Sequence, residues 1–152
     1  GIRVSECVGL NVKDIDLENN AFKITRKGGN QTILYFSEEV KEPLVKWIKE
    51  RKYWLSEDSK EDALFLSLQK KRICVRAVEK LVKKYSGIAS PLKKITPHKL
   101  RSTYGTTLYQ NTNDIYVVAE VLGHKDINTT KEHYASMSDE IKRSVVNKVK
   151  LR

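Results

Sequence analysis

Between Thr96 and Tyr134 the chain gathers all three of its histidines, an arginine one helical turn from the first of them, and a tyrosine at the far end. Together these side chains could do phosphate chemistry. Thr96 is a capping residue type and Pro97 suits a first helical position, which predicts a helix with His98 in its first turn. Backbone amides without an intrahelical partner point out of such an end and favour an anion. Arg101, one turn on and on the same face, adds a planar guanidinium able to clamp two nonbridging oxygens of one phosphate. The competing reading is that His98 only helps to cap the helix and Arg101 pairs with an acid. Farther along, Asn113 or Asp114 caps a helix running to Leu122, with Val117, Val118 and Val121 turned inward. Gly123 ends it in a left-handed turn, so His124 leaves from a fixed corner. Ile127 and Thr129-Thr130 start a further short helix that carries Tyr134. That tyrosine is one of seven, and its position alone does not distinguish a nucleophile from a packing residue. His98, His124 and His133 lack both a nearby cysteine and a His-x-x-x-His spacing, so no metal site is expected.

Other elements must position this stretch. Gly1 to Leu10 reads as a short helix with Ile2, Cys7, Val8 and Leu10 buried. Arg3 and Glu6 share a face of it, so Glu6 either orients Arg3 or pairs with it at the surface. Three β-prone runs follow, near Val12 to Leu17, Ala21 to Arg26 and Thr32 to Phe36, separated by Glu18-Asn19-Asn20 and Lys27-Gly28-Gly29-Asn30. They predict a small antiparallel meander with Lys27 at a hairpin tip. Ser37, Glu38 and Glu39 open a helix that continues through Val40, Leu44, Trp47 and Ile48, and Pro43 predicts that its regular part starts near Lys41 or Glu42. Ser56 to Asp62 reads as a loop and Ala63 to Leu66 as a short strand. From Arg72 to Tyr85, Cys74, Val78, Leu81, Val82 and Tyr85 form an apolar stripe. Lys71, Arg72, Arg76, Lys80, Lys83 and Lys84 crowd the remaining circumference. A face of one sign suggests phosphate contact more than simple solvation. Lys93 and Lys94 lead into Thr96. After Ser138, Ile141, Val145 and Val149 mark a basic C-terminal helix, suited either to close the chain's own core or to dock on a neighbouring subunit.

With 152 residues and 39% hydrophobic content, the chain fits one compact domain. Its net charge of +10 attracts polyanions, with nucleic acid the favoured partner and a solvated lysine-rich surface the alternative. Cys7 and Cys74 stand far apart, inside apolar helical patterns, which predicts reduced core thiols and a cytoplasmic protein. No apolar run approaches the roughly 18 residues of a membrane span, and no leader pattern opens the chain. A first residue of Gly1, with Met137 the only methionine, reads as a piece of a longer protein.

In combination, Gly-x-Arg-x-Ser-Glu at Gly1 to Glu6, Lys27 followed by two glycines, His-x-x-Arg at His98 to Arg101, Leu-Gly-His at Leu122 to His124, and Thr-Thr-x-x-His-Tyr ending at Tyr134 resemble the catalytic domain of the tyrosine recombinases, the phage-integrase family. The resemblance extends over almost the whole chain. It implies an α+β fold, mostly helical, with a small three-stranded antiparallel sheet near the N-terminus. It also implies that residues 1–152 form the catalytic domain, truncated before its first helix and lacking the family's N-terminal DNA-clamping domain.

By the same resemblance, Tyr134 attacks a DNA phosphodiester to give a 3′-phosphotyrosyl link and a free 5′-hydroxyl. Arg3 and Arg101 stabilise the phosphate charge, His124 donates a hydrogen bond, Lys27 protonates the leaving oxygen and His98 assists proton transfer. Arg26, Lys71, Arg72, Arg76, Lys80, Lys93 and Lys94 are the further residues expected at DNA. No cofactor, metal or ATP is called for, since the phosphotyrosyl link keeps the energy of the broken bond. Double-stranded DNA is the implied partner, with a tetramer on paired sites and the C-terminal helix reaching a neighbouring subunit. One departure stands out: His124 and Tyr134 are ten residues apart, one more than the commonest family spacing. An integrase or other site-specific recombinase is the leading expectation. A type IB topoisomerase-like enzyme and a non-catalytic basic DNA-binding module are the alternatives.

Overall fold

Apolar residues punctuated by turn formers after Val12 fold as a three-stranded antiparallel meander: β1 (Ile15–Asp16), β2 (Ala21–Thr25) and β3 (Gln31–Tyr35), in the order β1-β2-β3. The structure is a computed structural model and describes residues 1–124 and 128–132. The helices among the described residues include α1 (Val4–Val8), α2 (Glu38–Trp54), α3 (Val75–Ala89), α4 (Pro97–Thr112) and α5 (Ile115–Leu122), with residues 128–132 also helical, and a 3-10 turn at Val12–Asp14 leads into β1. The fold is the α+β arrangement expected, with one small sheet among the described residues. The chain divides into two compact units, Ile2–His98 and a second made of Gly1 with the residues from Lys99 onward.

In the first unit, Phe22 of β2 lies between Ile15 of β1 and Leu34 of β3. Leu10, Ile24 and Leu64 form the buried centre, with Ile2, Val12, Phe22, Leu34, Leu44 and Trp47 packed around them. α2 begins at Glu38, with Ser37 in the N-cap position, earlier than Pro43 suggests. The reason is that Pro43 lies in the second turn on an exposed face, where the carbonyl of exposed Glu39 that it fails to satisfy is left to water. Ala63 to Leu66 is not a strand but makes only isolated bridges, Asn11 with Ala63 and Leu66 with Arg72. The carbonyls of Ala63 and Leu64 are taken by side chains of α2 instead, and that of Phe65 by the Ile73 amide. Trp47 Nε1 donates to the Leu64 carbonyl at 2.7 Å, and buried Arg51 donates to Ala63 at 2.8 Å and to Glu61 at 2.6 Å. Leu64 itself is fully buried. Leu64→Ala is therefore expected to cost about 3 kcal/mol, read as a lower urea midpoint with an unchanged slope.

α3 departs from its expected face. Cys74 is its exposed N-cap rather than a core position, and Leu81 and Tyr85 are also exposed. Val75, Val78 and Val82 are the half-buried stripe. The cause is the partner: α1 contacts α3, and a five-residue helix covers only a narrow strip. Cys7 is half-buried, and burial pushes its thiol pKa up, away from the reactive thiolate. In the second unit Tyr109, Val118 and Leu122 form the core, with Leu108 and Ile115 against it. The inward face of α5 is thus Val118, Ala119 and Leu122 rather than the expected Val117, Val118 and Val121, because Val118 and Leu122 share with Ile115 the face that packs against Tyr109 of α4. Among the described residues no helix is long and apolar enough to cross a membrane. Ile127, His133, Tyr134 and the expected helix after Ser138 lie outside the described residues.

Candidate active site

Arg3 is the N-cap residue of α1, and Glu6 is the third residue of that helix. That spacing lets the Glu6 side chain fold back on the residue before the helix. Glu6 Oε1 accepts the Arg3 backbone N–H at 2.8 Å, and Oε2 lies 3.4 Å from Arg3 Nη1. Of the two roles open to Glu6 in the sequence, the structure selects orientation: the Glu6 side chain is 4% exposed, whereas that of Arg3 is 43% exposed. A buried carboxylate thus holds the root of an arginine whose outer part reaches solvent.

Lys27 sits in the turn between β2 and β3 and is exposed, as expected. Gly28 and Gly29 follow with φ of +91° and +84°, backbone conformations that would strain a side-chain-bearing residue, so the tight turn needs both glycines. Pro97 is the first residue of α4, as its ring predicts, and places exposed His98 in the first turn with Arg101 in the next.

In the second unit Arg101 is held by backbone carbonyls. Its Nη1 donates to Gly1 at 2.8 Å and its Nη2 to Leu122 at 2.6 Å, and Leu122 is the last residue of α5. A helix end has carbonyls without intrahelical partners, and the Arg101 fork takes one of them. Gly1 also sits close against the Tyr104 ring, where a Cβ would collide with Cδ1. The two carbonyls fix the plane of the Arg101 guanidinium.

α5 is capped at both ends by side chains and turns that the sequence announces. Asp114 accepts from the amides of Tyr116 and Val117 at 2.9 and 3.4 Å. At the other end Gly123 adopts φ 74°, ψ 32°, its N–H bonding to Glu120 and that of His124 to Ala119. This double bond pattern closes the helix and aims His124. The imidazole is then fixed a second time, with Nδ1 2.6 Å from the hydroxyl of Thr130. Thr130 is fully buried, within helical residues 128–132, so its position is set by packing. Sequence reading places Thr130 only at a helix start; the Thr-Thr pair following Leu-Gly-His is the signal that could have marked it. Gly123→Ala is expected to lower stability by about 1 kcal/mol in denaturant and to turn His124 away, because a left-handed conformation is costly for alanine.

Two residues expected at DNA are committed within the chain. Arg72 Nη1 donates to the carbonyls of Val8 and Leu10 at 2.8 and 2.9 Å, and its Nη2 bonds to Asn11 Oδ1. It fastens the segment after α1 to the bend before α3. The Arg26 side chain is 10% exposed and pairs with Glu6 at 3.5 Å. Lys71, Arg76, Lys80, Lys93 and Lys94 are all exposed. Tyr134 lies outside the described residues, so the structure shows the surroundings of Arg3, Lys27, His98, Arg101 and His124 but not of the expected nucleophile.

Residues 1–140 match the sequence profile of the phage integrase family. The chain belongs to this family. Family relatives include tyrosine recombinase XerC of Thermodesulfovibrio yellowstonii, 38% identical over 136 residues that make up 86% of this chain and 44% of the relative. Tyrosine recombinase XerD of Oceanobacillus iheyensis is 37% identical over 132 residues, again 86% of this chain and 44% of the relative. The chain therefore spans less than half the length of these relatives. Of family members with solved structures, XerA recombinase is similar with a TM-score of 0.81 at 29% identity, over 99% of this chain and 54% of that one. XerH site-specific recombinase, bound to a palindromic difH substrate in a post-cleavage complex, is similar with a TM-score of 0.79 at 26% identity, over 95% of this chain and 41% of that one.

Proposed function

We propose that this chain is the catalytic part of a site-specific DNA recombinase, which cuts and rejoins double-stranded DNA through a 3′-phosphotyrosyl intermediate. The observation that carries it is the way both arginines of the family motifs are held. Arg3 is anchored on a buried carboxylate and Arg101 on two backbone carbonyls. Donors fixed before the substrate arrives are what a charged transition state rewards, because no reorganisation is required when charge develops.

In this reading Arg3, Arg101 and His124 act on the scissile phosphate, as the family motifs imply. Tyr134 attacks phosphorus, the bond to the 5′ oxygen breaks, and Lys27 gives that oxygen a proton. A phenol with a pKa of ~10 is a weak nucleophile at neutral pH, so His98 assists by receiving its proton. Two guanidinium groups, always charged, offset the added negative charge on the nonbridging oxygens. His124 contributes through its ring nitrogen Nε2, since Nδ1 is the atom fixed to Thr130. Hydrolysis is not needed to reverse the link: the freed 5′-hydroxyl of a partner strand attacks the phosphotyrosine and restores both groups, so no ATP is consumed.

Exposed Lys71, Arg76, Lys80, Lys93 and Lys94 supply the phosphate contacts that hold the duplex, and the net charge of +10 steers it in. A tetramer on paired sites, with the C-terminal segment docked on a neighbouring subunit, belongs to the same proposal, as does a bacterial cytoplasmic setting. That XerC, XerD and XerH are recombinases favours this function over supercoil relaxation or simple DNA binding. The test is incubation of the protein with nicked DNA carrying its site, followed by denaturing electrophoresis. A covalent protein–DNA adduct supports the proposal, and its absence despite tight DNA binding refutes it.

A further inference from the structure

Arg26 is the residue just before Lys27, and its backbone closes the hairpin: its N–H donates to the Asn30 carbonyl at 2.7 Å, and its own carbonyl accepts from Gly29 at 3.0 Å. Beyond it the tip has little to rest on. Lys27, Gly28, Gly29 and Asn30 are all exposed, and a Cβ placed on either glycine would meet nothing within 4 Å. The Arg26 side chain, by contrast, turns inward. Its Nη1 lies 3.5 Å from Glu6 Oε2, the same oxygen that lies 3.4 Å from Arg3 Nη1. A single buried carboxylate is thus shared between the arginine of the phosphate clamp and the arginine at the root of the Lys27 hairpin.

Burial is the main influence lowering the proton affinity of Arg26; Glu6 works against it, and the like charge of Arg3 adds to it. The ion pair with Glu6 offsets part of that burial. A residue serving mainly to hold DNA would keep its guanidinium in water until the phosphate arrived.

We propose that Arg26 is a positioning residue: through Glu6 it ties the root of the Lys27 hairpin to Arg3, so that the proton donor and the phosphate clamp are placed together. This rests on the proposed reaction, and in particular on Lys27 as the general acid. Its chemical consequence is specific. When the tyrosine–phosphorus bond forms, the phosphorus–5′-oxygen bond breaks and that oxygen takes a proton from Lys27 Nζ. A DNA with sulfur in place of this bridging oxygen releases a thiolate, a much weaker base than an alkoxide, and needs no acid.

Arg26→Met keeps an unbranched stem and removes the charge. It is expected to slow cleavage of ordinary DNA about 10- to 100-fold, to cleave the sulfur substrate at close to the unaltered rate, and to leave DNA affinity and its salt dependence unchanged. Added to Lys27→Ala, it should cost nothing further on ordinary DNA, because both changes remove the same proton transfer. Equal slowing on both substrates overturns the proposal. So does weaker DNA binding with a salt slope shallower by about one, which would return Arg26 to the DNA surface. If Arg26→Met does not fold, Arg26→Lys decides, since it keeps a cation opposite Glu6: a smaller loss confined to ordinary DNA supports the tie, and equal loss on both substrates overturns it. Lys27→Ala by itself separates the two levels. If sulfur does not restore its cleavage, the acid role of Lys27 fails and the proposed mechanism with it. If sulfur restores Lys27→Ala but not Arg26→Met, only the positioning role is lost.

Discussion

Replacing Tyr134 with phenylalanine is expected to reduce the covalent adduct on nicked DNA by at least about 10³-fold while leaving DNA affinity unchanged. The substitution removes one oxygen and keeps the ring, so whatever the side chain packs against is preserved. In the proposed function binding is carried by many phosphate contacts made by lysines and arginines elsewhere, so a single phenol adds little to it. The nick matters because the short strand beyond the cut can diffuse away. Its 5′-hydroxyl is then not at hand to reverse the attack, and the adduct accumulates. Two other tyrosines of the second unit compete for the assignment on exposure alone: Tyr104 is 45% exposed and Tyr116 is 65% exposed. Tyr104 lies against Gly1, next to the carbonyl that holds Arg101. An adduct that survives Tyr134→Phe but disappears in Tyr104→Phe would move the nucleophile to α4 and overturn the proposed chemistry. Tyr109 is buried at 7% exposure and is no candidate.

Most of what surrounds the site was legible because local rules decide it. The Asp114 cap, the Gly123 turn and the Pro97 helix start each involve a residue whose backbone or side chain permits few alternatives, and each stands where sequence places it. The Lys27-Gly28-Gly29-Asn30 hairpin is of the same kind. What eluded the sequence depends on partners distant along the chain. Ala63 to Leu66 has strand-like composition, but a strand needs an edge to pair with, and here Trp47 and Arg51 supply the hydrogen bonds. The buried stripe of α3 shifts because α1 is short. Arg72 and Arg26 look like surface cations in a basic chain, yet their acceptors, the carbonyls of Val8 and Leu10 and the carboxylate of Glu6, come from other elements. Charge counting cannot separate an arginine that meets phosphate from one that fastens two segments, since both need a planar donor set.

Arg101→Lys is expected to slow cleavage by about 10²- to 10³-fold, with DNA affinity changed by less than about threefold. The charge survives the substitution, so any role that depends only on charge survives with it. What is lost is the fork. The guanidinium bonds to Gly1 and Leu122 through different nitrogens, at 2.8 and 2.6 Å. These bonds set its plane, and a planar donor set is what pairs with two oxygens of one phosphate. A lysine ammonium is a point charge on a flexible stem and cannot serve both carbonyls and the phosphate in that geometry. One carbonyl then loses its partner at the end of α5, beside Gly123 and His124. Some stability is lost as a result, about 1–2 kcal/mol for an acceptor left without its bond. That loss needs to be separated from the catalytic one, and Val118→Ala provides the control because it removes buried contacts from the core of the same unit while leaving Arg101, Gly123 and His124 in place. If the lysine variant cleaves no worse than the alanine variant at equal loss of stability, Arg101 acts by holding the corner. If it cleaves far worse, with binding intact, the guanidinium acts on the phosphate in the transition state. Equal loss of binding and cleavage would make Arg101 a DNA-holding residue and leave Arg3 as the only clamp.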